Sequence, residues 1–586
     1  MPKYKKIING KTKLYKIKTM LKKVSLLLSL VAVFMLSSCN SKMKEMAQDN
    51  FTVTPSVLEV VGSEIPVTID GKFPAKYFNN KSVMTVTPVL KYEGGEAVAE
   101  SSTFQGEKVL GNDQTISYKE GGNFKMKMTF DYVPAMEKAE LYVRFTVNKG
   151  KKTYTIPEVK IADGCVATAQ LYRQTAATAN TAYGDDAFQR IIKQAKEANI
   201  MFLIQQANLR SSELKSDNIN DLKATLKEIA NDVEGKALEN VEISAYASPD
   251  GELKLNDGLA NNRGNNTAKF INKEMKRAKI EGNVDNMYTA EDWAGFQELV
   301  SMSELPDKEL ILRVLSMYND PEEREAQIKN ISSVYSELAK EILPKLRRAR
   351  ITLNYQLIGR SDDQIKEQYA ADAKVLSLEE LLYAAILTND VKEKEDIFKT
   401  AVSIYPNDYR AYNNLGVLAY NKGDYAAAAN YFAQAEKVDA NAAEVKVNLG
   451  YMQLMNGNLA EAEAYMTKGT AAKVSNEALG NLYIAQGQYG RAASMLAGTN
   501  TNGAALAQIL NNDYSSANKT LAAISTPDAL TYYIKALLGA RTAKNEMVYE
   551  GLKNAVKLDP AMAGKAAADL EFRKYAQDEK FQSIVK

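Results

Sequence analysis

The chain contains no histidine. That removes Ser-His-Asp triads, Cys-His pairs and histidine-ligated zinc, the commonest catalytic constellations. Cysteine occurs twice, at Cys39 and Cys165, so there is no disulfide framework. Tryptophan occurs once, at Trp293. No apolar run is long enough to cross a bilayer, because the run from Val24 to Met35 falls well short of the roughly 20 residues a span needs. Catalytic groupings are missing as well. Gly94-Gly95 and Gly121-Gly122 read as turns between strands. Asp185-Asp186, Asp362-Asp363 and the acids from Asp320 to Glu325 read as helix N-terminal or solvated groups. No nucleophile elbow, phosphate loop, paired carboxylate site or metal spacing is present. The reading is a non-enzyme, with no cofactor and no metal expected.

What is there begins with a leader. Nine of the 74 basic residues lie before Lys23 or at it, with no acid among them, and the apolar run that follows ends in Leu36-Ser37-Ser38-Cys39. A basic region, a short apolar core and small residues before a cysteine resemble the lipobox of bacterial lipoprotein signal peptides. The resemblance implies a signal over residues 1–38, with translation starting at Met1 or Met20, and a lipidated Cys39 at the mature N-terminus. Several acyl chains hold a protein stably on a membrane. Without the nine leader lysines, 65 basic residues face 72 acidic ones, a net of −7. No basic stripe argues for nucleic acid. The residues after Cys39, NSKMKEMAQDN, lack the acidic cluster that resembles a surface-export signal of Bacteroidota lipoproteins. The resulting expectation is an outer-membrane lipoprotein facing the periplasm.

With 586 residues, three or four domains are expected. Residues 39–165 read as a β-sandwich. Phe124, Met126, Met128, Phe130 and Tyr132 alternate with polar partners, as do Ala139, Leu141, Val143, Phe145 and Val147. Asn148-Lys149-Gly150-Lys151 turns that strand into Thr153–Ile156. Earlier strands, Ile65 to Ile69 and Val83 to Leu90, read as short and broken by Pro66 and Pro88. Cys165 reads as a lone buried thiol.

Residues 166–198 read as a helical connector, with Phe188, Ile191, Ile192 and Ala195 at helical spacing. A central α+β domain follows over residues 199–358. Ile219, Leu222, Leu226, Ile229 and Val233 step like an amphipathic helix. Val241 to Tyr246 alternates as a half-buried strand, Pro249-Asp250-Gly251 breaks it, and helical spacing resumes from Leu259. Asn256, Leu259, Arg263 and Gly264 resemble the N-x-x-L-S-x-x-R-A signature of the OmpA-like peptidoglycan-binding domain, with Ala260 and Gly264 in place of its serine and alanine. Leu346-Arg347-Arg348 resembles that family's R-R motif before the last strand, Arg350 to Leu357. The family's ligand-binding aspartate falls on Ser248, and Asp250 lies two residues on. The resemblance implies a peptidoglycan site of Asp250, Asn256, Arg263 and Arg347, in which Arg263 pairs with a stem-peptide carboxylate and a nearby acid holds an ammonium. Residues 276–345 read as a helical insertion packed around Trp293.

The final part, residues 359–586, repeats. Leu415-Gly416 recurs as Leu449-Gly450, Gly423 as Gly457, Ala428 as Ala462 and Phe432 as Met466, all 34 residues on. A further unit holds Leu479-Gly480, Gly487, Ala492 and Leu496. This resembles tetratricopeptide repeats, paired helices that stack into an all-α superhelix with a concave face for protein partners. Ser377-Leu378-Glu379-Glu380 reads as a capping box opening the array. Asn413, Asn414 and Asn448 are the candidate peptide-binding residues, because one amide both donates and accepts. Tyr412 reads as packing.

The whole reads as a lipid-anchored adaptor of the outer membrane whose repeats bind envelope proteins. Two roles stand for its centre: a grip on peptidoglycan, or a module of a surface or secretion machine that has lost that ligand. One prediction concerns the anchor. Cys39→Ala should abolish incorporation of a labelled fatty acid and release the protein from membranes. Labelling that survives the substitution would contradict the lipobox.

Overall fold

The computed structural model describes residues 43–586 except 306 and 331, so the leader and Cys39 lie outside the described residues. The chain divides into two compact units. One comprises residues through Asn180 together with Gly450–Lys586, and the other comprises Thr181–Leu449.

In the first unit, ten strands form two facing sheets. They are β1 Phe51–Thr54, β2 Val57–Glu59, β3 Glu64–Phe73, β4 Ser82–Tyr92, β5 Gly95–Val98, β6 Ser102–Gly106, β7 Gln114–Ile116, β8 Gly122–Asp131, β9 Ala139–Lys149 and β10 Lys152–Val166. One sheet has the order β1-β3-β8, and the other β2-β10-β9-β4-β6-β7, with β5 on β4. The apolar residues of each alternation share one core, where the Phe73 ring lies 5.2 Å from Phe104 and 4.9 Å from Phe124. The turn at Gly150 joins β9 to β10, as its sequence implies. Pro66 and Pro88 do not break their strands, and the pairing shows why. Beside β3, β1 pairs only with residues 68–71, so Pro66 lies beyond its end. Along β4, β6 covers residues 83–86 and β5 covers 89–92, leaving Pro88 in the gap. Neither proline displaces a ladder hydrogen bond on those sides. Cys165 is buried, and burial pushes its thiol up to about 12.

The sandwich is seated on the late helices of the same unit. Arg541 donates to Glu59 at 2.6 Å and to Glu571 at 2.7 Å, and Glu571 also accepts from Thr168 at 2.6 Å. A Cβ on Gly62 would stand 3.0 Å from the Gln486 backbone, so only glycine permits this approach.

In the second unit, β11 Ile191–Met201, β12 Lys236–Tyr246, β13 Asn283–Thr289 and β14 Arg348–Ile358 form a mixed sheet ordered β11-β14-β12-β13. Helices Asp217–Asn231 and Leu253–Ala278 cover one face through Ile219, Leu222, Leu226, Ile229, Ile271 and Met275. The expected helical connector over 166–198 is corrected here. Only Tyr172–Ala177 and a short turn before it are helical, and Ile191 and Ile192 begin a strand paired with β14 along its whole length. The central domain therefore starts at Ile191 rather than 199. The insertion is narrower than 276–345: the helix from Leu253 runs to Ala278, and β13 belongs to the sheet, parallel to β12. Helices from Trp293 to Leu346 fill the rest around Phe296, Val300, Ile311 and Leu338, with Trp293 packed against them.

Successive helices pack on one another from Leu378 to Val438 in the second unit and from Leu459 onward in the first. Ser377 and Glu380 form the expected capping box. The sequence repeat has a packing cause. A Cβ on Gly416 would lie 2.5 Å from the Phe432 ring, one on Gly450 2.5 Å from Met466, and one on Gly480 2.3 Å from Leu496. In each pair, glycine on the first helix admits a large side chain from the second. The turn between them puts one residue in the left-handed region: Gly423, Gly457 and Gly487, then Asn512 and Ala543. The last two show the same device where the sequence no longer spells it.

These positions give opposite expectations. Ala543→Gly should raise stability by about 1 kcal/mol, by relieving a left-handed alanine. Gly480→Ala should lower it by about 1–3 kcal/mol through overpacking. Urea denaturation measures both, and a stable Gly480→Ala chain would refute the packing account.

Candidate functional site

Two places gather the residues nominated by the sequence, and both lie within the second unit. The first is the junction of β12 with the helix Leu253–Ala278. The strand delivers Tyr246, and the loop Ala247–Glu252 delivers Ser248 and Asp250. The helix opens at Leu253, earlier than its spacing implies, and carries Asn256 and Arg263 inward. Arg347 arrives from just before β14.

Ser248, Asp250 and Arg347 form a closed triangle. Arg347 Nε donates to Ser248 Oγ at 3.0 Å, and its Nη2 donates to Asp250 Oδ2 at 2.7 Å. Ser248 Oγ donates to Asp250 Oδ1 at 2.5 Å. Ser248 thus becomes the link between acid and arginine. Asn256 donates to the Gly251 carbonyl at 2.9 Å and to Glu291 at 3.3 Å.

Arg263 is 1% exposed. Its Nε donates to the Gln206 carbonyl at 3.0 Å, Nη1 to the Tyr246 carbonyl at 2.8 Å and Nη2 to the Leu203 carbonyl at 3.3 Å. Its guanidinium also lies over the Phe202 ring, 5.2 Å from the centroid. Burial, helped by the nearby Arg347 charge, pulls this guanidinium down to about 10, so it stays charged at neutral pH. The arginine staples the helix to the loop after β11 and to the end of β12. What remains beside it is a cleft of about 30 Å³ lined by Ile204, Ser248, Asp250, Asn256, Leu259 and Arg263, room for about two waters. Leu203 and Ile204 on the loop after β11, and Leu253 and Leu255 in the first turn of the helix, stand exposed beside it.

The second place is the face of the early repeats. Asn413 and Asn414 lie on the helix Tyr409–Asn421, and Asn448 on Ala443–Met455. All three are buried. Their partner is the chain's own main chain. Asn448 accepts from the Ala182 amide at 2.9 Å and donates to the Ala182 carbonyl at 2.8 Å. Asn414 does the same to Gly184, at 2.8 Å and 3.0 Å. Asn413 donates to the Ala182 carbonyl at 2.8 Å. Arg410 donates to the Asp185 carbonyl at 3.1 Å, and Glu379 accepts from the Ala187 amide at 2.6 Å. The bidentate Arg410 pair holds the Glu379 carboxyl below the usual carboxylate range. The sequence nominates these asparagines for an extended peptide, and an extended segment is what they hold. The expectation of a face open to partners is corrected: residues 181–187 cover these side chains. Tyr412 is half-buried in the array, and Tyr409 donates to Glu444 at 3.0 Å.

In the first unit, Thr175 donates to Asn481 at 2.7 Å and Asn180 to Glu477 at 2.9 Å. Burial raises the Glu477 carboxyl. Nothing in the sequence nominates Asn481 or Glu477 except a place on the first helix of a repeat. Among the described residues, no three His, Cys, Asp or Glu side chains gather as metal ligands, and no helix is long and apolar enough to cross a membrane.

The tetratricopeptide repeat family model matches residues 388–442 and 413–473. The C-terminal part of the chain carries tetratricopeptide repeats. Among solved structures, a tetratricopeptide repeat protein from Parabacteroides merdae is similar at 13% identity, covering 38% of this chain and 91% of that one, with a TM-score of 0.28. PilW, a type IV pilus biogenesis factor, is similar at 15% identity over 38% of this chain and 96% of its own, with a TM-score of 0.25. Pseudomonas aeruginosa pilF is similar at 13% identity over 38% and 98%, also with a TM-score of 0.25. No match is found among curated proteins.

The stapling role of Arg263 makes a direct prediction. Arg263→Ala strands three carbonyls and should cost the second unit about 3 kcal/mol. Hydrogen exchange in the helix Leu253–Ala278 measures it, and unchanged protection would show that the arginine is not structural.

Proposed function

We propose that this protein is a non-enzymatic, lipid-anchored scaffold facing the periplasm from the outer membrane, and that its central domain is an OmpA-like module serving an envelope assembly rather than the cell wall. The repeats supply a protein-interaction scaffold. The lipobox at Cys39 and the absence of an acidic export cluster after it support the location. The sheet-helix junction carrying Asn256, Leu259 and Arg263 supports the OmpA-like assignment.

One observation carries the preference for assembly over wall binding: the cleft's charges are internally satisfied. Arg263 bonds three backbone carbonyls, and Asp250 is paired with Arg347. A diamino-acid ligand would have to outcompete both arrangements in a cleft of about 30 Å³. Exposed Leu203, Ile204, Leu253 and Leu255 around it suit a protein surface better than a glycan strand. The wall-binding reading keeps one point in its favour, since Asp250, Asn256 and Arg263 do line a single cleft.

Purified sacculi separate the two. The intact lipoprotein should not sediment with them, and envelope proteins should co-purify with it from solubilised membranes. Sedimentation that soluble muropeptides compete away, and that Asp250→Asn abolishes, would establish the wall grip instead.

A further inference from the structure

The asparagines of the early repeats lie one repeat apart, and they act on the peptide two residues apart. Asn414 and Asn448 are separated by 34 residues, and each brackets one residue, Gly184 and Ala182 respectively, through its amide and its carbonyl. A primary amide presents a donor and an acceptor on one plane, which matches the N–H and C=O that a single extended residue shows on one side. The contacts are to main chain only, so they do not read side-chain identity. Side-chain size is read separately. A Cβ on Gly184 would stand 2.8 Å from Arg410 Cγ, so the groove admits glycine there, and at Ala182 only a methyl is buried. Between them, Tyr183 is 40% exposed, and its hydroxyl reaches Asn421 at the end of the helix Tyr409–Asn421. Alternation of small-in and large-out is what an extended segment requires.

We propose that the concave face of these repeats is a main-chain-reading groove for an extended peptide with small residues at alternate positions, and that residues 181–187 occupy it in cis as its resident ligand. Partners of the repeats then engage other faces, because this one is filled. Tethering favours the resident strongly, since a covalently linked segment sits at an effective concentration near millimolar. Residues 181–187 replace the water that the asparagine amides would otherwise bind with a matched N–H and C=O.

Two measurements test this. In the wild-type protein, the Ala182 and Gly184 amides should exchange at least about 100-fold more slowly than in a free peptide. Asn448→Asp keeps the acceptor and loses the donor, so it should speed exchange at Ala182 about tenfold, and Asn414→Asp should do the same at Gly184. Free-peptide exchange at both amides, with the helices 409–421 and 443–455 still protected, overturns the proposal. The second measurement uses a synthetic peptide spanning residues 179–188. It should not bind the wild-type chain, and it should bind a chain carrying Ala182→Pro and Gly184→Pro, which lack the two clasped N–H groups. Binding to wild type overturns cis occupancy, and failure to bind a proline variant that keeps its helical circular dichroism overturns the peptide groove. If the proline variant does not fold, the exchange measurement alone decides.

Discussion

The second unit is built around polar side chains that spend themselves on main chain. Arg263 holds three carbonyls, and Asn414 and Asn448 each hold both polar groups of one residue. All are buried. A buried arginine or asparagine without partners is costly, whereas one bonded to main chain ties down the segment it holds. The segment 181–187 has one bulky side chain, Tyr183, which stays partly exposed and whose hydroxyl bonds Asn421. It is ordered by hydrogen bonds rather than by hydrophobic burial. The loop after β11 is fixed in the same way by Arg263.

This constraint reshapes the functional reading. The residues nominated for ligands prove to be the residues that hold the protein together. At the sheet-helix junction, the acid and the two arginines are partnered within the domain. On the repeats, the asparagine ladder recognises an extended peptide as its chemistry implies, but the peptide belongs to the same chain.

Much of this was legible in the residues, and the failures have physical causes. Alternation from Ala139 to Val147 and the turn at Gly150 gave the hairpin, because period-2 burial on one face leaves a direct trace. The paired glycines and large residues of the repeats gave their packing. Convergence of Asp250, Asn256, Arg263 and Arg347 was legible through the family resemblance, whereas their mutual pairing was not, because partners are a property of the folded geometry. Ile191, Ile192 and Ala195 misled, since a strand end that is exposed shows no alternation and mimics helical spacing. The edge strand Asn283–Thr289 is mostly exposed and polar, so it left no apolar signature. Residues 181–187 were illegible for the same reason: main-chain recognition writes almost nothing into the side chains of the segment recognised.

Limited proteolysis with elastase bears most directly on the central claim, because the Ala-rich stretch around residues 176–187 offers it good sequence sites. On the intact protein under native conditions, cleavage within 181–187 should appear only together with loss of the repeat helices. An early cut in that stretch, in a protein whose helices survive, would show that the segment is not clasped and would contradict the account.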